Sequence, residues 1–406
     1  MNLSLNSEFG KLKAVIIHRP GREIERLTPG NTSELLFEDV PYLEGMQREH
    51  DEFAYLIKDA SGACVYRLKD LLVEVLIDPS LRKKTLTNAM VKTTSPGLID
   101  DILARYSTAE CASMLIAGIK IKELKKKIKS EYIFAFDNEE YVINPSPNTY
   151  FMRDPSAVIQ NGVIISHMKF SGRQGESHLL KLIFENHPDF RDNFKPVYPG
   201  TGITGEIPTI EGGDVIVLSD KALAIGCSER TDEKAIVLLA KQVLKNSAVE
   251  RVYQVDLPSK RNFMHLDTVF TIIDENLIVT YPDAMNSVLQ TWIIRKKGMD
   301  AEGNVIIDKE CVKESIITVL KKEIPYLEIV ETGDGNPDFA MREQWYDGAN
   351  VFAVSPRRVI SYNRNKLTNR ALREAGVDVL ETSSSELSRG LGGPRCMTMP
   401  LWRMEV

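Results

Sequence analysis

The sequence predicts an α/β fold of repeated ββα-type units, interrupted by one helical stretch. Three observations carry this. A β-rich run, a short polar turn and a second β-rich run recur together four times. Amphipathic helical segments lie between these pairs. The stretch Arg67–Asp137 lacks such pairs and reads helical. Spacing leaves two architectures open: a true internal repeat, or an ordinary α/β sheet with antiparallel hairpins.

The elements follow in order. Lys13–Arg19 reads as a strand that could open a further copy. In the helical stretch, Leu68, Leu71, Leu72, Val75 and Leu76 share one helix face. Ser107 with Glu110 forms a capping-box signature ahead of Cys111, Met114 and Leu115. Lys120–Lys129 is basic and amphipathic, and reads as a solvated helix face. The four strand pairs follow. They are Ser156–Gln160 with Val163–Ser166, Asp214–Leu218 with Lys221–Gly226, Asp267–Ile273 with Leu277–Thr280, and Asn350–Val354 with Arg357–Ser361. Glu176–Phe184 and Glu233–Leu244 carry apolar residues at helical spacing, and Gln290–Arg295 starts a connection to the next unit.

Composition limits the function. The 406 residues suggest two or three domains at about 150 each. Hydrophobic residues are 43% and charged residues 27%, which excludes disordered and low-complexity classes. With 51 Lys+Arg against 57 Asp+Glu, the net charge is −6, a poor match to nucleic acid or a membrane surface. Cys64, Cys111, Cys227, Cys311 and Cys396 are widely spaced with no CxxC, so reduced thiols are expected rather than disulfides or a zinc ribbon. No run approaches the roughly 18 apolar residues of a membrane span, and no leader pattern opens the chain. A cytoplasmic protein is expected.

Certain residues could carry chemistry. In Arg389-Gly-Leu-Gly-Gly-Pro-Arg-Cys396, a cysteine follows a glycine-rich loop and is a candidate nucleophile, or a small buried hydrophobe. His265 and Asp267, two apart, would face the same way on a strand and could form an acid–base pair, or a structural hydrogen bond. Glu211, Asp214 and Asp154 head other strand pairs, where turn or cap roles are the plainer reading. Taken together, equivalent points of several repeats deliver a carboxylate, a His or a Cys. Such a set suits a planar guanidinium, which a carboxylate can match in bidentate fashion. HExxH, P-loop, dinucleotide, GxSxG and EF-hand motifs are missing from the sequence. Covalent chemistry without a metal is the economical reading.

These residues resemble the arginine deiminase family of guanidino-modifying enzymes. The resemblance spans the chain, from Val15-Ile-Ile-His-Arg-Pro-Gly21 and Leu35-Leu-Phe-Glu-Asp-Val-Pro41 through Asn148-Thr-Tyr-Phe-Met-Arg-Asp154-Pro and Glu211-Gly-Gly-Asp214. It continues through Gly226-Cys-Ser-Glu-Arg-Thr231, His265-Leu-Asp267, Arg342-Glu-Gln-Trp345, Tyr362-Asn-Arg-Asn365 and Cys396-Met-Thr-Met-Pro400. It implies a fivefold pseudo-symmetric α/β propeller with an inserted helical domain: 1–66 as first module, 67–137 as insertion and 138–406 as the remaining modules.

It also implies hydrolysis of L-arginine to L-citrulline and ammonia, without a cofactor, by a homo-oligomer. Cys396 would be the nucleophile and His265 the general acid and base. Asp154 and Asp267 would hold the guanidinium, with Glu211 beside His265. Arg173 and Arg230 would bind the substrate carboxylate, with Asn148, Phe151, Asp214 and Gly390 among the substrate-binding residues. Some members carry Arg and His where this chain has Leu391 and Arg395; others pair an apolar residue with Arg. A loop-gating role does not transfer from the Arg-bearing members. Agmatine deiminase, dimethylarginine hydrolase and amidinotransferase share the Cys, His and carboxylate logic. A catalytically silent propeller used for interaction is the alternative from another class, and the complete residue set argues against it.

Overall fold

A computed structural model describes residues 1–91, 96–129, 137–199, 206–258, 260–287 and 290–406. Among these residues, five units share one plan. Each has an antiparallel strand pair, then a helix, then a third strand parallel to the second. The first to follow this order along the chain is Ser156–Ile159, Gly162–Ile165, helix Gln174–Asn186 and strand Pro196–Tyr198. The next is Val215–Ser219, Ala222–Cys227, helix Glu233–Asn246 and strand Arg251–Asp256. Phe270–Asp274, Leu277–Thr280, helix Ile316–Glu323 and strand Glu328–Glu331 form the third. Phe352–Ser355, Arg358–Tyr362, helix Lys366–Glu374 and strand Asp378–Thr382 form the fourth.

The fifth unit is assembled from both ends of the chain. Met399–Arg403 pairs antiparallel with Leu12–Ile17, which pairs parallel with Cys64–Arg67 after helix Leu43–Ser61. The expected N-terminal strand is therefore the middle strand of its sheet. Its hairpin partner lies nearly the whole chain away, where local periodicity carries no signal. The helices cross over because parallel neighbours cannot be joined by a tight turn. Their apolar stripes pack on the sheets, as with Leu179, Leu180, Ile183 and Phe184 in the first and Ile236, Leu239, Ala240 and Val243 in the second.

Two expectations are corrected. Gln290–Arg295 does not simply connect two units. Thr291–Met299 pairs with Arg251–Asp256 and with Val305–Val312, extending the second sheet to five strands. Thr291, Ile293 and Ile294 are buried in its first half, while Lys296, Lys297 and Met299 are exposed toward its end. The strand pair expected from Asp267 begins instead at Phe270, because Leu266–Thr268 winds into a short 3-10 turn.

Helices Leu68–Val75, Pro79–Ala89, Pro96–Arg105, Thr108–Ala117 and Ile121–Lys127 occupy the stretch that breaks the repeat. The Ser107–Glu110 capping box is formed: Ser107 Oγ accepts from the Glu110 N–H at 3.3 Å, and Glu110 accepts from the Ser107 N–H at 2.8 Å. The parts of the helical reading at 92–95 and 130–136 lie outside the described residues. No helix among the described residues is long and apolar enough to cross a membrane.

Candidate active site

The loop before each strand pair delivers a side chain to one buried cluster. Asp154 precedes Ser156–Ile159, Glu211 precedes Val215–Ser219, and His265 and Asp267 precede Phe270–Asp274. Cys396 precedes Met399–Arg403. These five side chains are all buried. The Glu211-Gly-Gly-Asp214 glycines have a steric reason. A Cβ on Gly213 would stand 2.7 Å from the His265 ring and 2.9 Å from Asp154 Oδ1, and one on Gly212 would stand 2.1 Å from the Arg153 carbonyl. Close approach of backbone to these side chains requires glycine.

His265 sits between two carboxylates. Its Nε2 lies 2.8 Å from Glu211 Oε2, and its Nδ1 lies 3.6 Å from Asp154 Oδ1. Burial opposes its charge, but Asp154 and the Glu211 hydrogen bond outweigh that and raise its pKa to about 9. Burial likewise opposes ionisation of Glu211, yet the His265 hydrogen bond and Arg230 hold it down at about 2. The pair is therefore an imidazolium and a carboxylate at neutral pH.

The thiol sits in a different environment. Cys396 Sγ is 3.7 Å from Asp267 Oδ2, which also accepts from Arg395 Nη1 at 2.6 Å. Burial first, then the charges of Asp267, Asp154 and Asp347, push the Cys396 thiol well above its ordinary pKa. So the protein by itself keeps Cys396 protonated. Two carboxylate oxygens in this cluster, Asp154 Oδ1 and Asp267 Oδ1, are buried and accept no hydrogen bond. Such oxygens are costly unless a donor meets them.

Leu36, Asn148, Phe151, Asp154, Arg173, Arg230, Arg261, Met264, His265, Thr268, Gly390, Leu391 and Cys396 line a narrow cavity over these groups. Arg173 donates to Asp154 Oδ2 at 2.8 Å and clasps Glu176 through Nε and Nη2. Arg230 donates to Glu211 Oε2 at 3.3 Å and lies over the Phe170 ring. Asn148 Nδ2 donates to the Leu35 carbonyl at 2.7 Å. A Cβ at Gly392 would stand 2.1 Å from the Phe151 ring, so the loop before Cys396 lies flat on that ring only because it carries glycine.

Glu211, Asp267 and Asp214 lie behind the lining residues of the cavity, Glu211 against His265, Asp267 against Cys396 and Asp214, expected among the substrate-contacting residues, farther back. The Asp214 oxygens accept from the Leu266 N–H at 2.9 Å and Ser228 Oγ at 2.7 Å, so it braces the His265 loop from behind. His265 and Asp267 also do not share a strand face. The 3-10 turn after His265 sends His265 to Glu211 and Asp267 to Arg395.

Three further residues, to which the sequence pattern assigns no role in the site, hold it together. Glu176 anchors Arg173, Arg395 anchors Asp267, and Asn350 bonds the nucleophile loop. For Asn350 a signal existed: it precedes the Phe352–Ser355 strand as the other site residues precede theirs. Donor atoms of Asp154, Glu211 and His265 lie within 4.8 Å of one another, a spacing a divalent cation could use. Here the positive charges of Arg173, Arg230 and the imidazolium already meet these carboxylates.

The chain is similar to known proteins along nearly its whole length. The arginine deiminase family model matches residues 33–403. The arginine deiminase of Listeria monocytogenes serotype 4b (strain CLIP80459) is 39% identical over 410 residues, covering 99% of this chain and 98% of that protein. The arginine deiminase of Oenococcus oeni (strain ATCC BAA-331 / PSU-1) is 37% identical over 415 residues, covering 100% of this chain and 98% of its own length. Among solved structures, the product-bound N-terminal domain of ArgZ, a cyanobacterial arginine dihydrolase, superposes with a TM-score of 0.55 at 15% identity, covering 96% of this chain and 97% of its own. SxtG, an amidinotransferase from Microseira wollei, gives 0.54 at 14% identity, covering 100% and 98%. The two structural likenesses speak to the mixed α/β fold; the match along the sequence speaks to descent, and by it the chain belongs to the arginine deiminase family.

Proposed function

We propose that this enzyme hydrolyses the guanidinium of free L-arginine to L-citrulline and ammonia through a covalent amidino-cysteine intermediate. Besides family membership, one observation carries the reading. Two buried carboxylates flank the Cys396 thiol and the His265 imidazolium, and each keeps an oxygen without a hydrogen-bond donor. A planar cation carrying several N–H donors answers both.

The chemistry runs as two displacements. Asp154 and Asp267 orient the guanidinium so that its central carbon faces Cys396. The thiol proton passes to solvent, and the thiolate attacks that carbon. The His265 imidazolium gives its proton to the departing nitrogen, and ammonia leaves. Neutral His265 then takes a proton from water as that water attacks the amidino-cysteine. Collapse of the adduct expels the thiolate, which takes up the adduct's hydroxyl proton to restore the thiol, and leaves the neutral ureido group of citrulline. Glu211 holds His265 in place and favours its charged form.

Thiolate formation is substrate-assisted in this scheme. Burial and three carboxylates oppose it in the free enzyme, and an incoming cation offsets them. The pH midpoint of Cys396 alkylation should therefore fall when a cationic, unreactive arginine analogue is bound. A midpoint that does not move would count against this route.

Arg173 and Arg230 recognise the substrate α-carboxylate. Arg173 is turned onto Asp154 and Glu176 in the structure, so engagement of the substrate requires its fork to turn as the substrate guanidinium takes over Asp154. Arg173→Ala or Arg230→Ala should raise KM for arginine by roughly 10–150-fold, the loss of a charge-assisted contact worth about 1.5–3 kcal/mol. Agmatine, which lacks the carboxylate, should gain no such penalty. Citrulline and ammonia release from arginine, and the corresponding products from agmatine and methylated arginines, test this together with the substrate assignment. Equal turnover of arginine by both variants and the parent would remove the carboxylate pocket from the proposal.

The same reading takes the five units as modules of a fivefold pseudo-symmetric propeller, supported by their shared strand order and the convergence of their loops. It divides the chain into a first module at 1–66, a helical insertion at 67–137 and further modules at 138–406. The protein acts as a homo-oligomer in a reducing cytoplasm. Its five unpaired cysteines support the reducing compartment.

A further inference from the structure

Four of the five loops that meet at the site deliver the residues assigned above. The fifth, before Phe352–Ser355, delivers Asn350, which the scheme leaves without a role. Asn350 is fully buried. Its Oδ1 accepts from the Cys396 N–H at 2.9 Å, and its Nδ2 donates to the Asp267 carbonyl at 3.0 Å. Its own carbonyl accepts from the Arg395 N–H at 3.2 Å. One residue thus ties three groups together: the nucleophile backbone, the backbone of the carboxylate beside it, and the arginine that holds that carboxylate.

The neighbouring sequence is fitted to this bond. A Cβ on Gly393 would stand 2.7 Å from Asn350 Oδ1, so the second glycine before Arg395 is required by the amide it packs on. An amide suits both contacts, accepting at Oδ1 and donating from Nδ2 to two groups on different loops. It donates and accepts at once, whereas an aspartate at neutral pH only accepts. An aspartate here would leave the Asp267 carbonyl without its donor. It would also add a negative charge beside a thiol already opposed by Asp267, Asp154 and Asp347.

We propose that Asn350 is a positioning residue for the reaction: it sets the distance between Cys396 Sγ and Asp267 and keeps that contact neutral. It never touches the substrate. Its loss therefore lowers the rate of the chemical steps and leaves binding nearly unchanged. A displacement of about 1 Å at a nucleophile is enough for a loss of order 100-fold.

This inference rests on Cys396 being the nucleophile, and the experiment separates the two. Asn350→Ala, Asn350→Asp and Cys396→Ser are compared for folding by thermal melting, for kcat and KM with arginine, and for the amidino-enzyme adduct by intact mass. The expected result is a folded Asn350→Ala with kcat down about 100-fold and KM within about threefold. Asn350→Asp, which keeps the shape and the Cys396 acceptor, should be impaired as well. A kcat within about threefold of the parent in either variant overturns the proposal, as does a KM that rises in step with the loss. Should Asn350→Ala fail to fold, Asn350→Asp decides. Failure of both to fold overturns the proposal in favour of a purely structural Asn350. If Cys396→Ser keeps full turnover, the nucleophile assignment fails instead.

Discussion

Cys396→Ser should lower citrulline formation by at least about 10⁴-fold, the scale seen when a nucleophile is removed from a unit that acts together. The hydroxyl is far less acidic than the thiol, and the site opposes the anion of either. Burial, Asp267, Asp154 and Asp347 already raise the thiol well above its ordinary pKa. The substrate cation can offset that handicap for a thiol but not for an alcohol. Intact-mass measurement during turnover should show the amidino adduct on the parent enzyme and none on the variant. Arginine should still bind, because Asp154, Asp267, Arg173 and Arg230 are untouched. Appreciable turnover by the serine variant would remove Cys396 from the mechanism.

His265→Ala should cost about 10²–10⁴-fold in kcat, the usual contribution of a positioned acid–base group. The loss should be largest where His265 is charged. Its pKa is raised to about 9, so the acid form is complete below neutrality and disappears as pH rises through about 9. The kcat of the parent enzyme should therefore fall on the alkaline side near that value, and the variant should lack that limb. A variant with the same alkaline limb would assign the titration to another group, and a loss under about tenfold would deny His265 the acid–base role. Without the imidazolium, Glu211 also loses its principal partner and keeps Arg230, the more distant Arg173 and the Lys169 N–H.

Much of the site was legible because its residues occupy equivalent points of a repeat. Asp154, Glu211 and His265 each stand just before a strand pair, and a strand pair announces itself through alternation and turn residues. Cys396 stands out instead through the glycine-rich loop before it, because the partner of the strand that follows lies at the other end of the chain. Gly213 and Gly392 were visible as glycine-rich loops, although the rings they lie against were not. Asn350 stood at the same point and went unread because an amide does not titrate and carries no motif of its own. Asp214 is expected at the substrate through the family resemblance alone; in the structure its oxygens face the Leu266 amide and Ser228.

The sequence by itself determined the α/β class with recurring strand pairs, the helical break, the acidic composition and the residue types fit for guanidinium chemistry. These are local properties: periodicity, turn composition and residue order. Only the tertiary structure decided what depends on pairing across long separations. Met399–Arg403 closes a sheet with Leu12–Ile17, and Thr291–Met299 joins the sheet of the second unit instead of its own. Arg173 is matched to Asp154 and Glu176, and Arg395 to Asp267 and Glu8. Such partners are selected by the need to satisfy every buried charge and hydrogen-bonding group. That demand is set by which loops meet in space, and a linear pattern does not encode it.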